Sequence, residues 1–466
     1  MEMETATFVI VGGGIAGVSC AEVLLFLCPS AKIILITQSS LIKAVKNLIP
    51  LAKSLTKFDV EECSIDTLKD KIKVVIDTAE YIDSSKRVIT TKLGNTYEYN
   101  YLCLCTGADP KLIEKDNEYV IGIRDTESVL EFQKRIKNSK KIVLVGNGGI
   151  ASEVAFEAKN IIIDWVIKDE YISSTFVDPG AAEFFQNKLK NKNKTSEETV
   201  AKRMRYSEEN LMFSKKKGAA LGPDWHRKID IAGTLEDLPE SVKIHYKVEV
   251  VKIEKTKNCE NPFPLKVTLS NNEVIYADFV VSATGVNPSI SFKCDKEFKL
   301  GPDGGICVDE LQRTNLNFIY AAGDICCASW DLSDDWFQMR LWTQARQMGA
   351  MAGKAMAAAF QGETATQDFC FELFGHVTKL YGYQVVLLGR YNGQGLDKNY
   401  EILLRVTPDK EYIKFVLHNG KLKGALLIGE TGLEETCENL ILNKLDLTPY
   451  KEDLLDPNID IEDYFD

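Results

Sequence analysis

A chain of 466 residues with 45% hydrophobic and 9% aromatic content can form two or three domains with sizeable cores. Its formal net charge of −12 argues against a generally nucleic-acid-binding surface, and no apolar stretch reaches transmembrane length. The first strand begins a few residues after Met1, leaving no room for a signal or transit peptide, so the expected location is cytoplasm and nucleus.

Twelve cysteines are present without a C-x-x-C pair, and no metal site is expected. Cys103 and Cys105 alternate in an apolar strand and should share one packed face. Cys326 and Cys327 are neighbours, for which a disulfide is strained. All twelve are read as reduced thiols, mostly small buried hydrophobes.

In chain order, Phe8 to Glu22 give a β-branched strand, the turn Gly12-Gly13-Gly14-Ile15-Ala16-Gly17 and an apolar helix. Gly12 permits the tight bend, Gly14 lets backbone approach a pyrophosphate, and Gly17 lets the helix pack on the strand. The helix start, with Ile15 and Ala16, offers free N–H groups and a positive dipole end. The next strand, Lys32 to Thr37, should end in an acid for a ribose, yet it ends Thr37-Gln38-Ser39-Ser40. The hydroxyls and the Gln38 amide could serve instead. Residues 85–105 alternate as a hairpin and strand and lead to Thr106-Gly107. A helix then opens at Thr126 or Asp125.

A second dinucleotide turn follows the strand Ile142–Val145: Gly146-Asn147-Gly148-Gly149-Ile150-Ala151, with Glu153 in the helix behind it. The following strand ends at Lys168, with Asp169 beside it. A cation there could meet a 2′-phosphate, and the neighbouring acid leaves NADH and NADPH both open. Residues 186–229 hold twelve cations against five acids, a balance of 12 − 5 = +7, and read as an exposed insertion. It is either a solvated loop or a docking surface for an acidic partner or an RNA-bound protein.

Phe279 to Pro288 contain Thr284-Gly285, an echo of Thr106-Gly107 that indicates two nested, related units. Ile319 to Asp324 deliver a carboxylate after Gly323, suited to the ribitol hydroxyls of FAD or to capping a helix. In the helix that follows, Trp342 lies over the ring system or packs the core, with Thr343 beside it, and the helix dipole would favour reduced flavin. Residues 364–466 show strands at Val385–Leu388, Ile402–Val406, Tyr412–Leu417 and Ala425–Ile428, a hairpin turn at Asn419-Gly420 and a helix over Leu433–Leu445. The last sixteen residues hold seven acids and one lysine, a tail that docks or is merely solvated.

The ordered set Gly12–Gly17, Thr106-Gly107, Gly146–Ala151, Thr284-Gly285 and Gly323-Asp324 resembles the FAD/NAD(P)-dependent pyridine nucleotide-disulfide reductases. The resemblance implies an α/β fold of two nested Rossmann-like domains plus a C-terminal α+β domain. The FAD domain would comprise 1–120 and 284–362, the NAD(P) domain 121–283, and the third domain 363–466. FAD and NAD(P)H would be the cofactors.

Relatives carry a redox cysteine pair on a helix near residues 40–50, where this chain has Leu41 to Asn47 and no cysteine. Without a dithiol, thiol–disulfide exchange has no relay. His376 is expected to be a packing residue rather than the relatives' catalytic histidine. The resemblance implies a lysine near the flavin, Lys43 with Lys46 as fallback, paired with Glu153. Relatives often place a gating tyrosine where Gly149 stands, so an open nicotinamide pocket is expected.

Three readings remain: an NAD(P)H oxidoreductase with another acceptor, a redox-responsive binding protein, and a true disulfide reductase. The resemblance also implies a partner, an RtcB-type tRNA ligase protected during oxidative stress. Monomer and homodimer both remain open.

Overall fold

The computed structural model describes residues 4–69, 71–190, 231–235, 241–256, 261–396, 399–450 and 453–456. Most of the basic stretch 186–229 and the acidic end of the tail lie outside them.

The first sheet is centred on Glu4–Val11, which pairs in parallel with Ile33–Thr37 on one side and Thr96–Leu104 on the other. Ile319–Ala321 joins Thr96–Leu104, so a late segment completes a sheet begun near the N-terminus. Every residue of Ile33–Thr37 is buried, because helices and further strands cover both faces. The helix Ile15–Leu27 packs along Trp342–Gln361. Their approach is so close that a Cβ on Gly349 would lie 2.2 Å from the Ala16 carbonyl oxygen.

A second sheet is wholly parallel, in the order Val120–Gly122, Phe279–Ser282, Lys141–Val145, Ile162–Val166, Val242–His245. The antiparallel meander Val250–Lys255, Leu265–Leu269, Val274–Ala277 shares a core with it. The two Thr-Gly turns run into one ribbon, Ala108–Pro110 against Val286–Pro288. The third sheet is antiparallel, in the order Gly375–Leu380, Tyr383–Gly389, Lys421–Ile428, Glu411–His418, Tyr400–Thr407, backed by the helix Glu434–Asn443. Its strand Gly375–Leu380 escaped the sequence reading. Asn419 and Gly420 both have positive φ, 52° and 73°, as a two-residue hairpin turn requires. The fold is thus α/β with two Rossmann-like units and a C-terminal α+β unit.

One expectation fails here. Residues 40–50 form no helix: Leu41–Pro50 is a strand, paired antiparallel with Thr56–Ser64. Ile42, Val45 and Ile49 favour extended backbone, and the Lys43 amide donates to the Gly13 carbonyl at 3.0 Å. The hairpin tip is clasped by the third unit. Fully buried Glu438 accepts the Ser54 amide at 3.0 and 3.1 Å and the Ser54 hydroxyl at 2.8 Å.

A second clasp joins the third unit to the parallel sheet's loops. Lys414, 2% exposed in the middle of its strand, pairs with Asp178 and donates to Asn392 at 2.7 Å. Asp178 also accepts the Tyr412 hydroxyl at 2.9 Å and caps the helix Pro179–Lys190 through the Gly180 and Ala181 amides. Burial pushes the Asp178 carboxyl up. The Lys414 charge and hydrogen bond more than offset this and hold it below the ordinary value.

Candidate functional site

A single cavity of about 1160 Å³ runs across both glycine turns. That exceeds the ~300–1,000 Å³ usual for one small ligand, so there is room for two dinucleotides meeting end to end. Gly12, Gly14, Ile15, Ala16, Thr37, Gln38, Thr106 and Gly107 line it around the first turn. Gly146, Gly148, Gly149, Ile150, Glu153, Lys168, Asp169, Thr284 and Gly285 line it around the second turn. Asp324 and Trp342 also line the cavity.

Three helices point uncapped N-termini at this space. Those starting at Ile15, Gly149 and Trp342 have no side-chain cap, whereas the helix Thr126–Ile136 has a full capping box from Asp125 and Ser128. Uncapped N–H groups at three dipole ends suit phosphates and an electron-rich ring. The glycines are sterically required. A Cβ on Gly12 would meet the Cys105 carbonyl oxygen at 2.1 Å, and one on Gly17 would meet the Gly12 oxygen at 1.9 Å. Gly17 itself faces the strand rather than the cavity, and Ala151 and Gly323 also do their work behind it. These features fit a pair of dinucleotides.

The Thr106 and Thr284 hydroxyls turn inward, donating to the Ser289 and Lys111 carbonyls at 2.6 Å each. They tie the two crossover segments of the first unit to each other. Burial raises the Asp324 carboxyl above its ordinary value, against the pull of Arg124 and Arg340.

Three lining groups escaped the sequence reading. Arg124, 8% exposed, pairs with Asp109 at 3.2 Å, and its guanidinium lies 2.7 Å from where a Gly107 Cβ would stand. Buried Asp77 stands at the Thr37 end, where an acid was sought on the neighbouring strand. The third is Phe176. Each approaches from a segment distant in sequence from its turn, so no local pattern could flag it.

The expected Lys43–Glu153 pair is not formed. On its strand Lys43 is 4% exposed, pairs with Glu62 and donates to Thr126 at 3.4 Å. Thr126 in turn bonds Glu62. The change from helix to strand explains this, since the strand partner carrying Glu62 lies directly opposite Lys43.

An aromatic side chain nevertheless stands beside Gly149. The Phe176 ring sits 3.5 Å from where a Gly149 Cβ would be, supplying an aromatic from another segment. Thr343 does not line the cavity. It bonds His376 Nδ1 at 3.0 Å, and the His376 ring lies 4.9 Å from Trp342 and 6.2 Å from Phe176. His376 is fully buried, and burial pushes it down to about 3, so it is neutral. It packs Trp342, which also lines the cavity.

Among the described residues all cysteines are free. Cys103 and Cys105 share a face with sulfurs 3.5 Å apart. Among the described cysteines Cys105 alone lines the cavity, beneath the Gly12 turn. The Cys103 thiol and burial push Cys105 far up, so it is not a thiolate. No described group of His, Cys, Asp and Glu could hold a metal.

A family model described as pyridine nucleotide-disulphide oxidoreductase matches residues 6–219 and 232–349. A Drosophila melanogaster protein named pyridine nucleotide-disulfide oxidoreductase domain-containing protein 1 is 53% identical, over 98% of this chain and 99% of its own. The Homo sapiens protein of that name is 49% identical over 98% of each chain. In fold, the chain is similar to a ferredoxin reductase from Rhodopseudomonas palustris, with TM-score 0.68 and 20% identity over 98% and 99% of the two chains. An NAD-dependent persulfide reductase from A. fulgidus gives TM-score 0.67 and 18% identity over 98% and 79%. The chain therefore belongs to the pyridine nucleotide-disulphide oxidoreductase family, and its cofactors are FAD and NAD(P)H.

Proposed function

We propose that the protein is an NAD(P)H oxidoreductase whose electrons leave FAD without a neighbouring dithiol. The observation that carries this reading is the cavity itself. It joins two dinucleotide turns, and the segment that should bring a cysteine pair to it is a strand holding Lys43 in an ion pair. With both cofactors seated, FAD would supply the chemistry by taking hydride from the nicotinamide.

The chain's own groups bind and orient. Gly12, Gly14, Ile15 and Ala16 hold one pyrophosphate, with Arg124 adding positive charge. Asp324 would accept from ribitol hydroxyls, and the uncapped helix N-terminus at Trp342 would favour negative charge on a bound flavin. Gly146, Gly148, Gly149 and Ile150 hold the second pyrophosphate. Lys43 and Glu62, rather than Lys43 and Glu153, form the buried charge pair beside the first turn.

The finer reading is that the protein acts in the oxidative stress response, in cytoplasm and nucleus, protecting an RtcB-type tRNA ligase from oxidative inactivation. The sequence resemblance supports it. A redox-responsive binder with little turnover is the second reading, favoured by the Phe176 ring that lies beside Gly149.

Anaerobic stopped-flow with NADH and NADPH, followed by mixing with a quinone, oxygen or a disulfide, separates these. Flavin bleaching within seconds and rapid reoxidation by quinone is the expected course. Turnover of the disulfide alone would refute the dithiol-free route. A long-lived charge-transfer band with slow reoxidation by every acceptor would favour the binder.

A further inference from the structure

Cys307 and Cys327 stand directly opposite each other where Ile306–Val308 pairs in parallel with Cys326–Ala328. Side chains alternate along a strand, and opposite residues of a parallel pair point the same way. Ile306, Val308 and Cys326 are buried in the main core. Cys307 and Cys327 therefore share the other face. Neighbouring strands run ~4.8 Å apart, inside the ~4.4–6.8 Å between Cα atoms that a disulfide accepts. The neighbours Cys326 and Cys327 have no such option, because they leave opposite faces of one strand.

The turn 301–305 lies over this face. A Cβ on Gly301 would meet the Cys327 sulfur at 2.3 Å and Asp303 Oδ1 at 3.1 Å, so the thiol fits only because residue 301 is glycine. The Arg340 guanidinium holds the turn, donating to Asp303 at 2.5 Å and to the Asp324 carbonyl at 2.8 Å. Asp324 and Arg340 line the large cavity, and neither Cys307 nor Cys327 does. Cys327 is half-buried and Cys307 is buried, so Cys327 is the sulfur that a small solute reaches first. Burial, the Asp303 charge and the Cys307 thiol push the Cys327 thiol up to about 11, so at neutral pH little of it is thiolate and it reacts slowly.

We infer that Cys307 and Cys327 form an oxidation site for hydroperoxides, closing into a disulfide across the two strands. The Cys327 sulfur attacks the terminal oxygen of the hydroperoxide. The O–O bond breaks, a sulfenic acid forms, and the alcohol (water when the oxidant is hydrogen peroxide) leaves with the thiol proton. The Cys307 sulfur then displaces the hydroxyl: the S–S bond forms, the S–O bond breaks, and the Cys307 proton departs in the water released. Two thiols lose two electrons and the O–O bond gains them. The site is independent of how electrons leave FAD, since neither sulfur reaches the cavity.

The test treats the flavin-loaded full chain with hydrogen peroxide, denatures it in N-ethylmaleimide, cuts it with trypsin without reduction and maps the peptides by mass spectrometry. Cleavage after Lys299, Arg313 and Arg340 puts Cys307 and Cys327 on separate peptides, 300–313 and 314–340. The expected product is these two joined, two hydrogens lighter than their sum, and parted again by dithiothreitol. The second peptide also carries Cys326, so Cys326→Ala should leave the joined species at full yield, whereas Cys307→Ala and Cys327→Ala should each abolish it. Closure should speed up roughly tenfold per unit between about pH 7 and 9, as thiolate does below a thiol raised this far. Sulfinic or sulfonic acid at Cys327 with no joined peptide would overturn the site, as would a joined species that survives Cys327→Ala. A rate flat in pH would overturn Cys327 as the first sulfur oxidised. Mapping the unaltered protein and Cys326→Ala decides the matter even if a variant at 307 or 327 fails to fold.

Discussion

The two dinucleotide turns are built to different tolerances. In the first, Cβ atoms added at Gly12, Gly13 and Gly17 would lie 2.1, 2.5 and 1.9 Å from other atoms. In the second, Gly146 is as tight, 2.1 Å from the Ala283 oxygen, but Gly148 faces open space and Gly149 touches only a side chain. The first turn is sealed into the core by helix, strand and Cys105. The second is bounded by a loop that other elements hold in place. Sealed packing suits a ligand that stays, and a side-chain wall suits one that comes and goes.

The sharpest way to break this comparison is Gly17→Val, which sets a branched side chain against the Gly12 carbonyl. The expected result is insoluble or flavin-free protein, read from the ratio of flavin to protein absorbance. A yellow, stoichiometric preparation would show that the first turn is not sealed. Next in size is Lys414→Met, which strands the Asp178 carboxylate in the domain interface. Removing one partner of a buried pair costs roughly 3–5 kcal/mol, here seen as a lowered urea midpoint. Adding Asp178→Asn should recover most of the loss, since Asn also caps helices well.

His376 gives a third handle, because it supports Phe176 and Trp342. Burial lowers it from 6.5 to about 3, so the unfolded chain binds its proton first and stability declines as pH falls through that interval. At pH 5, 1.5 units below 6.5, the loss amounts to roughly 2 kcal/mol. His376→Gln should flatten that part of the pH–stability curve. An identical slope in both proteins would place the titration elsewhere. The smallest expected effect is Gly148→Ala. Its φ of −92° is ordinary and its surroundings are empty, so the urea midpoint and flavin content should hold while the KM for NAD(P)H rises. A large stability loss would mean the second turn is as tight as the first.

What the sequence made legible was local. Each glycine turn sits between a strand and a helix written in the same fifteen or so residues, and the repeat of Thr-Gly showed the nesting. The cavity walls were less readable. Phe176 covers a glycine 27 positions earlier in the chain, and Glu62 meets Lys43 across a hairpin. Such contacts follow from tertiary packing. The helix expected near residues 40–50 came from likeness to relatives, while the residues themselves, with Ile42, Val45 and Ile49, have the branching of a strand.

That strand has a consequence for how the missing chemistry could be regained. Successive side chains on a strand leave opposite sides of the ribbon. Position 43 is buried and position 46 is exposed, so sulfurs placed at both would point away from each other. That pair of point changes would not restore a working dithiol. The backbone would first have to be recoiled and its anchorage to Glu438 given up. The separation of positions 43 and 46 therefore lies in the course of the main chain and not only in the side chains it carries.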